Sequence, residues 1–81
     1  MMNDSDLFDV DVLTYVDRQI SGLESGMPYT LKQICGKKYW NKLTRNERIR
    51  AGKTVATAVS GNYLPLRFGD KTAANALTYL K

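Results

Sequence analysis

The stretch 44-TRNERIRAGKTVATAVSG-61 decides the fold of this 81-residue chain. Thr44 and Glu47 have the spacing of a capping box, in which each side chain accepts a hydrogen bond from a free backbone N–H at the start of a helix. Gly61 is a typical residue just beyond a helix end. The stretch therefore predicts a helix over residues 44–60, and the other elements are arranged around it.

Two arcs of different character run along this predicted helix when about 100° is allowed for each residue. The apolar arc, which we expect to face the core, contains Ile49, Gly52, Val55, Ala56 and Val59. The polar arc, which we expect to face solvent, contains Asn46, Arg50, Lys53 and Thr57. Gly52 costs about 1 kcal/mol of helix propensity relative to alanine, so we expect a neighbouring helix to approach its backbone closely. Arg48 lies towards the apolar arc, and we expect it to pair with a carboxylate, for example one of the N-terminal helix.

A shorter helix is predicted upstream, at residues 30–35. Thr30 and Gln33 repeat the capping-box spacing, and Gly36 follows as a stop signal. Residues 37–43 then form a basic connector before the helix that starts at Thr44. Its single tryptophan is expected to fill a gap between helices, the alternative being an exposed stacking surface.

The N-terminal region predicts a further helix, because apolar residues recur at helical spacing at Leu13, Val16, Ile20 and Leu23. Asp9 or Asp11 is placed to cap its start. We therefore divide the chain into an acidic N-terminal tail, residues 1–8, and a single domain, residues 9–81.

The C-terminal part changes to a strand pattern. Apolar side chains alternate over residues 64–68, and Pro65 is compatible with an edge strand. Residues 69–75 form a polar loop, and residues 76–80 offer a second strand. We expect an antiparallel hairpin over 64–80; a helix over residues 72–80 is the competing interpretation, since its alanines favour it.

Composition excludes several classes of function. The chain has no histidine and a single cysteine, so a zinc site of Cys and His ligands or a nucleophile activated by histidine cannot be assembled within it. Cys35 is expected to be a small buried apolar group. The longest uncharged run, residues 54–66, is shorter than the roughly 18 residues that a membrane-spanning helix needs. We expect a cytoplasmic protein that has no metal, cofactor, small-molecule substrate or membrane association and is not an enzyme.

Charge is divided unevenly along the chain. Residues 1–24 carry six acidic side chains and one basic one, a net charge of −5, whereas residues 25–81 carry a net charge of +9. Eight of the basic residues fall between Lys32 and Lys53. Such a stretch can neutralise phosphates, although a solvated helical surface is the alternative explanation.

The order helix, short helix, basic connector, longer helix and hairpin predicts an α+β fold of the winged helix-turn-helix type, with three helices followed by a C-terminal wing. Helix 44–60 would enter the major groove of DNA, and the hairpin 64–80 would be the wing. Candidates for base contacts are Asn46, Arg50, Lys53 and Thr57; candidates for phosphate contacts are Lys32, Lys37, Lys38, Lys42, Arg45, Arg67 and Lys71. Arg50 suits guanine and Asn46 suits adenine.

Residues 29-YTLKQICG-36 also carry a resemblance, together with Trp40, Leu43, Arg48, Gly52, Lys53, Val55 and Val59. They resemble a family of small uncharacterised bacterial and phage proteins that share Tyr-Thr-Leu-Lys-x-Leu-x-Gly, a later Trp and an Arg-x-x-x-Gly-Lys/Arg helix. The resemblance covers residues 29–80 and implies a single winged-helix-like domain of prophages and mobile elements. The chain departs from the pattern at Ile34 and Cys35, where the family has bulkier apolar residues.

Two functions follow from these patterns. The first is a small DNA-binding protein, a transcription regulator of a phage or mobile element, which would need a homodimer or another partner for useful specificity. The second is a winged-helix interaction module that binds a host or repressor protein without contacting DNA. For the second function, the acidic first helix and the tyrosines, which are enriched at interfaces, would supply the contact surface.

Overall fold

The computed structural model describes residues 4–81, which form an α+β fold of four helices and one small antiparallel sheet. In chain order the elements are α1 (Asp4–Ile20), β1 (Pro28–Thr30), α2 (Leu31–Cys35), α3 (Lys37–Asn41), α4 (Arg45–Ser60), β2 (Arg67–Phe68) and β3 (Thr78–Leu80). The sequence predicted three helices and two strands, so α3 and β1 are additions.

Capping boxes fix the starts of α2 and α4, as the sequence predicts. Thr44 Oγ1 accepts a hydrogen bond from the backbone N–H of Glu47 at 3.2 Å, and Glu47 Oε1 accepts one from the N–H of Thr44 at 2.8 Å. Thr30 and Gln33 form the same pair of bonds at the start of α2. The predicted helix over residues 44–60 is confirmed, with Gly61 at its C-terminal end.

Helix α1 begins at Asp4 rather than at Asp9. Residues 4–8, assigned from the sequence to an acidic tail, therefore belong to the helix; residues 1–3 of that tail lie outside the described residues. The helix extends because Phe8 packs against the hydrophobic core and because the Asp9 carboxylate binds Arg50 instead of capping the chain.

The predicted connector, residues 37–43, contains the five-residue helix α3. Gly36 separates α2 from α3 at φ 85° and ψ 152°, a conformation that glycine adopts readily and L-residues rarely do. Tyr39 of α3 stacks on Tyr15 of α1, with ring centroids 3.9 Å apart and planes inclined by 8°. This contact attaches α3 to the first helix, and a helix this short has too little periodicity to be detected in the sequence.

The sheet has the strand order β1-β3-β2, with both pairs antiparallel. Strand β1 lies between the first two helices and pairs with β3, placing Thr30 opposite Thr78. Strand β2 pairs with the other edge of β3, placing Phe68 opposite Tyr79. The predicted C-terminal hairpin is therefore confirmed with shorter strands, and residues 78–80 are extended rather than helical.

The core lies between α1, α2, α4 and the sheet. Its buried apolar side chains are Val12, Val16, Ile20, Leu31, Ile34, Cys35, Ala51, Val55, Ala58, Val59, Leu64, Leu66 and Tyr79. The predicted apolar arc of α4 is partly wrong, because Ile49 is 50% exposed and Ala51 and Ala58 are buried instead. Small alanines on this face allow α1 to pack against α4, so the buried face is rotated away from Ile49.

Candidate nucleic-acid interface

A groove of about 720 Å³ opens between α4 and the segment that leads into β3. Its lining residues come from the start of α2, from α3, from α4 and from residues 72–79: Thr30, Leu31, Lys32, Trp40, Arg48, Ile49, Gly52, Lys53, Ala56, Thr72, Ala74, Ala76, Leu77 and Tyr79. We call this surface the α4 groove. It brings the predicted recognition helix and the predicted wing to one side of the molecule.

Small residues form the part of the α4 groove contributed by the middle of α4. A Cβ atom added at Gly52 would meet no heavy atom within 4 Å. The expectation that a neighbouring helix approaches Gly52 closely is therefore wrong. Ala56 lies one helical turn further along and also lines the groove, so the backbone of α4 is accessible from this side.

Arg48 and Trp40 together form one wall of the groove. The Arg48 Nε donates a hydrogen bond of 3.2 Å to the backbone oxygen of Trp40, and its guanidinium carbon lies 5.7 Å from the centroid of the tryptophan ring. The sequence predicted a carboxylate as the partner of Arg48, and that prediction is wrong because the partner is a backbone oxygen. Arg48 nevertheless has the expected structural role, since it joins α4 to α3. Trp40 packs partly against the core, as expected, and also lines the groove.

Positive charge surrounds the α4 groove. Lys32 of α2 and Lys53 of α4 are exposed, and the partly buried Arg48 also belongs to the lining. Among the described residues that line this groove, none is acidic. A largely apolar groove whose charged lining residues are all positive attracts an anionic or acidic partner.

The four candidates for base contacts are all exposed on α4. Of these, only Lys53 lines the α4 groove. Arg50 and Thr57 border a second groove of about 600 Å³ on the opposite flank of the helix, beside α1 and Tyr63. The predicted polar arc exists: Lys53 lines both grooves, Arg50 and Thr57 line only the second one, and Asn46 lines neither.

Arg50 is held by the acidic first helix. Its Nη2 lies 2.8 Å from Oδ2 of Asp9, and its Nε donates a second hydrogen bond of 2.9 Å to Oδ1. The hydroxyl of Thr54 donates a third bond of 3.0 Å to the same carboxylate. A bidentate arginine–carboxylate pair has favourable geometry and occupies the donor fork that a guanine contact would need.

The pairing lowers the pKa of Asp9 and raises the pKa of Arg50. The hydrogen bonds from Arg50 are the largest cause of the lowered pKa of the Asp9 carboxyl. Burial opposes them, and the weaker effect of the bond from Thr54 adds to them. The same hydrogen bond raises the pKa of Arg50. Both side chains are therefore held in their charged forms.

The candidates for phosphate contacts are spread over the molecule. Only Lys32 lines the α4 groove. The other six are exposed: Lys37 and Lys38 on α3, Lys42 after it, Arg45 at the start of α4, Arg67 on β2 and Lys71 in the following loop. Their exposure is compatible with contacts to a polyanion, but the structure does not gather them into one groove.

Sequence reasoning missed three features of the site. Ile49 was assigned to the core, and no residue of segment 72–77 was recognised as groove lining. The pairing of Asp9 with Arg50 was also missed, although the two side chains lie on helices that the sequence predicts. The unexplained glycine at position 52 was the one local signal for the groove.

Other chemistry is limited within residues 4–81. Burial raises the pKa of the Cys35 thiol to about 11, which disfavours the reactive thiolate. The described residues contain no group of three or more His, Cys, Asp or Glu side chains arranged to hold a metal ion. In the same part of the chain, no helix combines the length and the apolar character needed to cross a bilayer.

A protein-family model matches residues 14–81, and its description is "Domain of unknown function (DUF1413)". No curated protein matches the chain. No solved structure matches it either.

Proposed function

We propose that this chain, which belongs to the family of domains of unknown function (DUF1413), is a small DNA-binding protein. In this proposal α4 enters the major groove of a duplex, and the hairpin 64–80 acts as a wing beside it. The resemblance to phage and bacterial proteins supports the further proposal that it regulates transcription for a phage or mobile element.

The element order supports a winged helix-turn-helix arrangement. In our interpretation α2 and α4 are the two helices of the motif, and α3 occupies the connection between them. Pairing of β1 with β3 joins the wing to the start of α2, since Pro28–Thr30 leads directly into that helix. The sheet therefore fixes the proposed wing relative to the start of α2.

A single observation carries the DNA-binding proposal: Lys32, Arg48 and Lys53 converge on the α4 groove, whose described lining includes no acidic residue. Lys32 comes from α2 and the other two come from α4, so the groove has cations on both helices of the proposed motif. Phosphates that approach this side would meet positive charge before any carboxylate.

The roles of the base-contact candidates can be ranked from their surroundings. Asn46 and Lys53 are exposed, and no hydrogen bond or ion pair is found for either side chain within the described part of the chain. Arg50 can contact a base through its Nε and Nη2 nitrogens only after its bonds to Asp9 are broken. Thr57 borders the groove beside α1, where the acidic helix disfavours a polyanion.

A fluorescence anisotropy titration with labelled duplexes tests the proposal. We expect binding at low salt, with an affinity that falls with salt by a slope of about 0.9 for each phosphate neutralised. Lys53→Gln should weaken binding and reduce that slope by about 1, because it removes one positive charge from the interface, whereas Asn46→Ala should weaken the preferred sequence by about 1–3 kcal/mol.

The matched control is Arg18→Gln, which removes one exposed positive charge from α1, away from the α4 groove. This variant should bind duplex nearly as the wild type does. Absence of duplex binding at low salt, or an equal loss in the Lys53 and Arg18 variants, would reject the proposed interface.

A second function is favoured by the apolar character of the groove. Ile49 is half-exposed and Leu77 lies among the groove residues, which suits a protein partner better than a phosphate backbone. An interaction module that binds a host or repressor protein is the alternative proposal. Recovery of one stoichiometric partner after nuclease treatment, with no duplex binding, would favour it.

A further inference from the structure

The proposed DNA contact leaves Gly52 unexplained. A glycine in the middle of a 16-residue helix costs about 1 kcal/mol relative to alanine. Packing within the described chain does not require glycine at this position, because a Cβ atom there would meet no neighbour within 4 Å. A local cost without an internal reason indicates a functional surface, and glycine permits another chain to approach the backbone closely.

Helix α1 has an exposed face with the opposite charge. Its side chains share one arc of the helix: Asp6, Leu7, Val10, Asp11, Thr14, Asp17 and Arg18. Leu7 is 50% exposed and Val10 is 49% exposed, beside the three carboxylates. We call these seven residues the outer face of α1; it combines apolar anchors with a net negative charge, because three carboxylates outweigh Arg18.

The α4 groove has the complementary properties. Ile49 is half-exposed at its edge, Gly52 and Ala56 leave room along the helix, and Lys32 and Lys53 supply positive charge. An acidic helix with exposed aliphatic side chains fits this combination: its aliphatic groups would cover the apolar lining while its carboxylates meet the lysines.

We propose that the outer face of α1 in one copy of the chain packs into the α4 groove of a second copy. Within one copy this contact is impossible, because α1 already packs through its inner face against the buried face of α4. The two surfaces differ, so the contact is head-to-tail, and it continues to further copies unless a ring closes.

Self-association does not require DNA binding, but both proposals place Lys53 at the contact surface. A second copy seated in the α4 groove would place carboxylates where the duplex was proposed to bind. Self-association and duplex binding therefore exclude each other at an occupied groove, and a copy whose groove is occupied is unable to bind DNA through Lys53.

Sedimentation velocity without nucleic acid tests the inference. We expect the average mass of the wild type to rise with protein concentration and to fall with added salt, since screening weakens the charged contacts. Gly52→Leu should block the groove and Val10→Lys should disrupt the outer face, and each should sediment as a monomer. Met27→Ser, which changes an apolar residue outside both surfaces that is 49% exposed, as Val10 is, should associate as the wild type does.

A mixture of the two monomeric variants gives the decisive result. Val10→Lys retains an intact groove and Gly52→Leu retains an intact outer face, so together they should form a one-to-one dimer and nothing larger. Lys53→Glu reverses one charge of the groove without filling it, and it should also be monomeric. This variant tests the groove even if Gly52→Leu fails to fold.

A wild type that remains monomeric at about millimolar concentration would overturn the inference, as would a mixture that forms no dimer. A monomeric wild type whose groove binds an acidic helical peptide would also overturn it and assign the groove to a different protein. Failure of duplex binding in the separate anisotropy titration would leave these sedimentation results unaffected, so the two proposals fail independently.

Discussion

Arg50 of α4 and Asp9 of α1 are joined by two parallel bonds, of 2.9 Å from Nε and 2.8 Å from Nη2. The two residues are 41 positions apart, so the pair connects the acidic N-terminal region with the basic part of the chain. In the DNA-binding proposal, Asp9 occupies the guanidinium in place of a phosphate or a guanine. In that proposal, Arg50 contacts a ligand through these two nitrogens only after it has left Asp9.

Asp9→Asn should increase affinity for duplex DNA. The neutral amide releases Arg50 and adds one unit of positive net charge, so each new phosphate contact should steepen the salt dependence by about 0.9. The measurement is an anisotropy titration at several salt concentrations. Glu24→Gln changes the net charge equally at an exposed position after α1 and should have a smaller effect; equal effects of both variants would show that Arg50 gains no contact.

The stabilisation from the Asp9–Arg50 pair should depend on pH. The pKa of the Asp9 carboxyl is lowered in the folded chain, so the folded state binds a proton less readily than the unfolded state does. The contribution of the pair is therefore present above the ordinary carboxyl pKa of about 3.9 and is lost as pH falls through the lower folded value.

A double-mutant cycle of Asp9→Asn and Arg50→Gln, followed by urea unfolding, measures this dependence. We expect a coupling free energy near neutral pH that diminishes as pH falls through the lowered pKa of the Asp9 carboxyl. A coupling that is unchanged at low pH would mean that the two residues interact through packing and not through charge.

Local signals in the sequence predicted the boundaries of α2 and α4 well. The capping boxes at Thr30 and Thr44 and the stop at Gly61 depend on residues within one or two turns, and the structure reproduces them. The C-terminal hairpin was also predicted, because alternation over residues 64–68 is a local pattern. Strand β1 was missed because three residues carry no periodicity and their partner β3 lies about fifty positions away.

The candidate site was less predictable because it depends on how α4 is rotated. The pattern of α4 placed Ile49 in the core, but packing against α1 selected the face that contains Ala51 and Ala58. This choice turns Ile49 towards the groove and Arg50 towards Asp9. Neither outcome could be derived from α4 alone, since both are determined by the position of a second helix.

The capping box of α4 supplies a further test of the fold. Thr44→Ala removes the side-chain acceptor for the N–H of Glu47, and we expect a loss of about 1 kcal/mol in the free energy of unfolding. Thr44→Ser should retain most of the stability because its hydroxyl can accept the same bond. Urea unfolding followed by far-UV circular dichroism compares the three proteins; equal stability of the serine and alanine variants would show that the cap contributes nothing.

Gly52 and Gly36 form a matched pair for the last prediction. A Cβ atom added at either position would meet no heavy atom within 4 Å, so steric contact does not distinguish them. Gly52 lies in regular helix, and Gly52→Ala should raise the free energy of unfolding by about 0.5–1 kcal/mol through helix propensity.

Gly36 has φ 85°, so Gly36→Ala should lower the free energy of unfolding, by about 1 kcal/mol or more. Thermal and urea unfolding of both variants measure the contrast. A stabilised Gly52 variant would show that this glycine is not required for folding, which leaves contact with another molecule as the reason for its presence. A destabilised Gly52 variant would instead mean that folding needs glycine there, and the argument for an approaching chain would be lost.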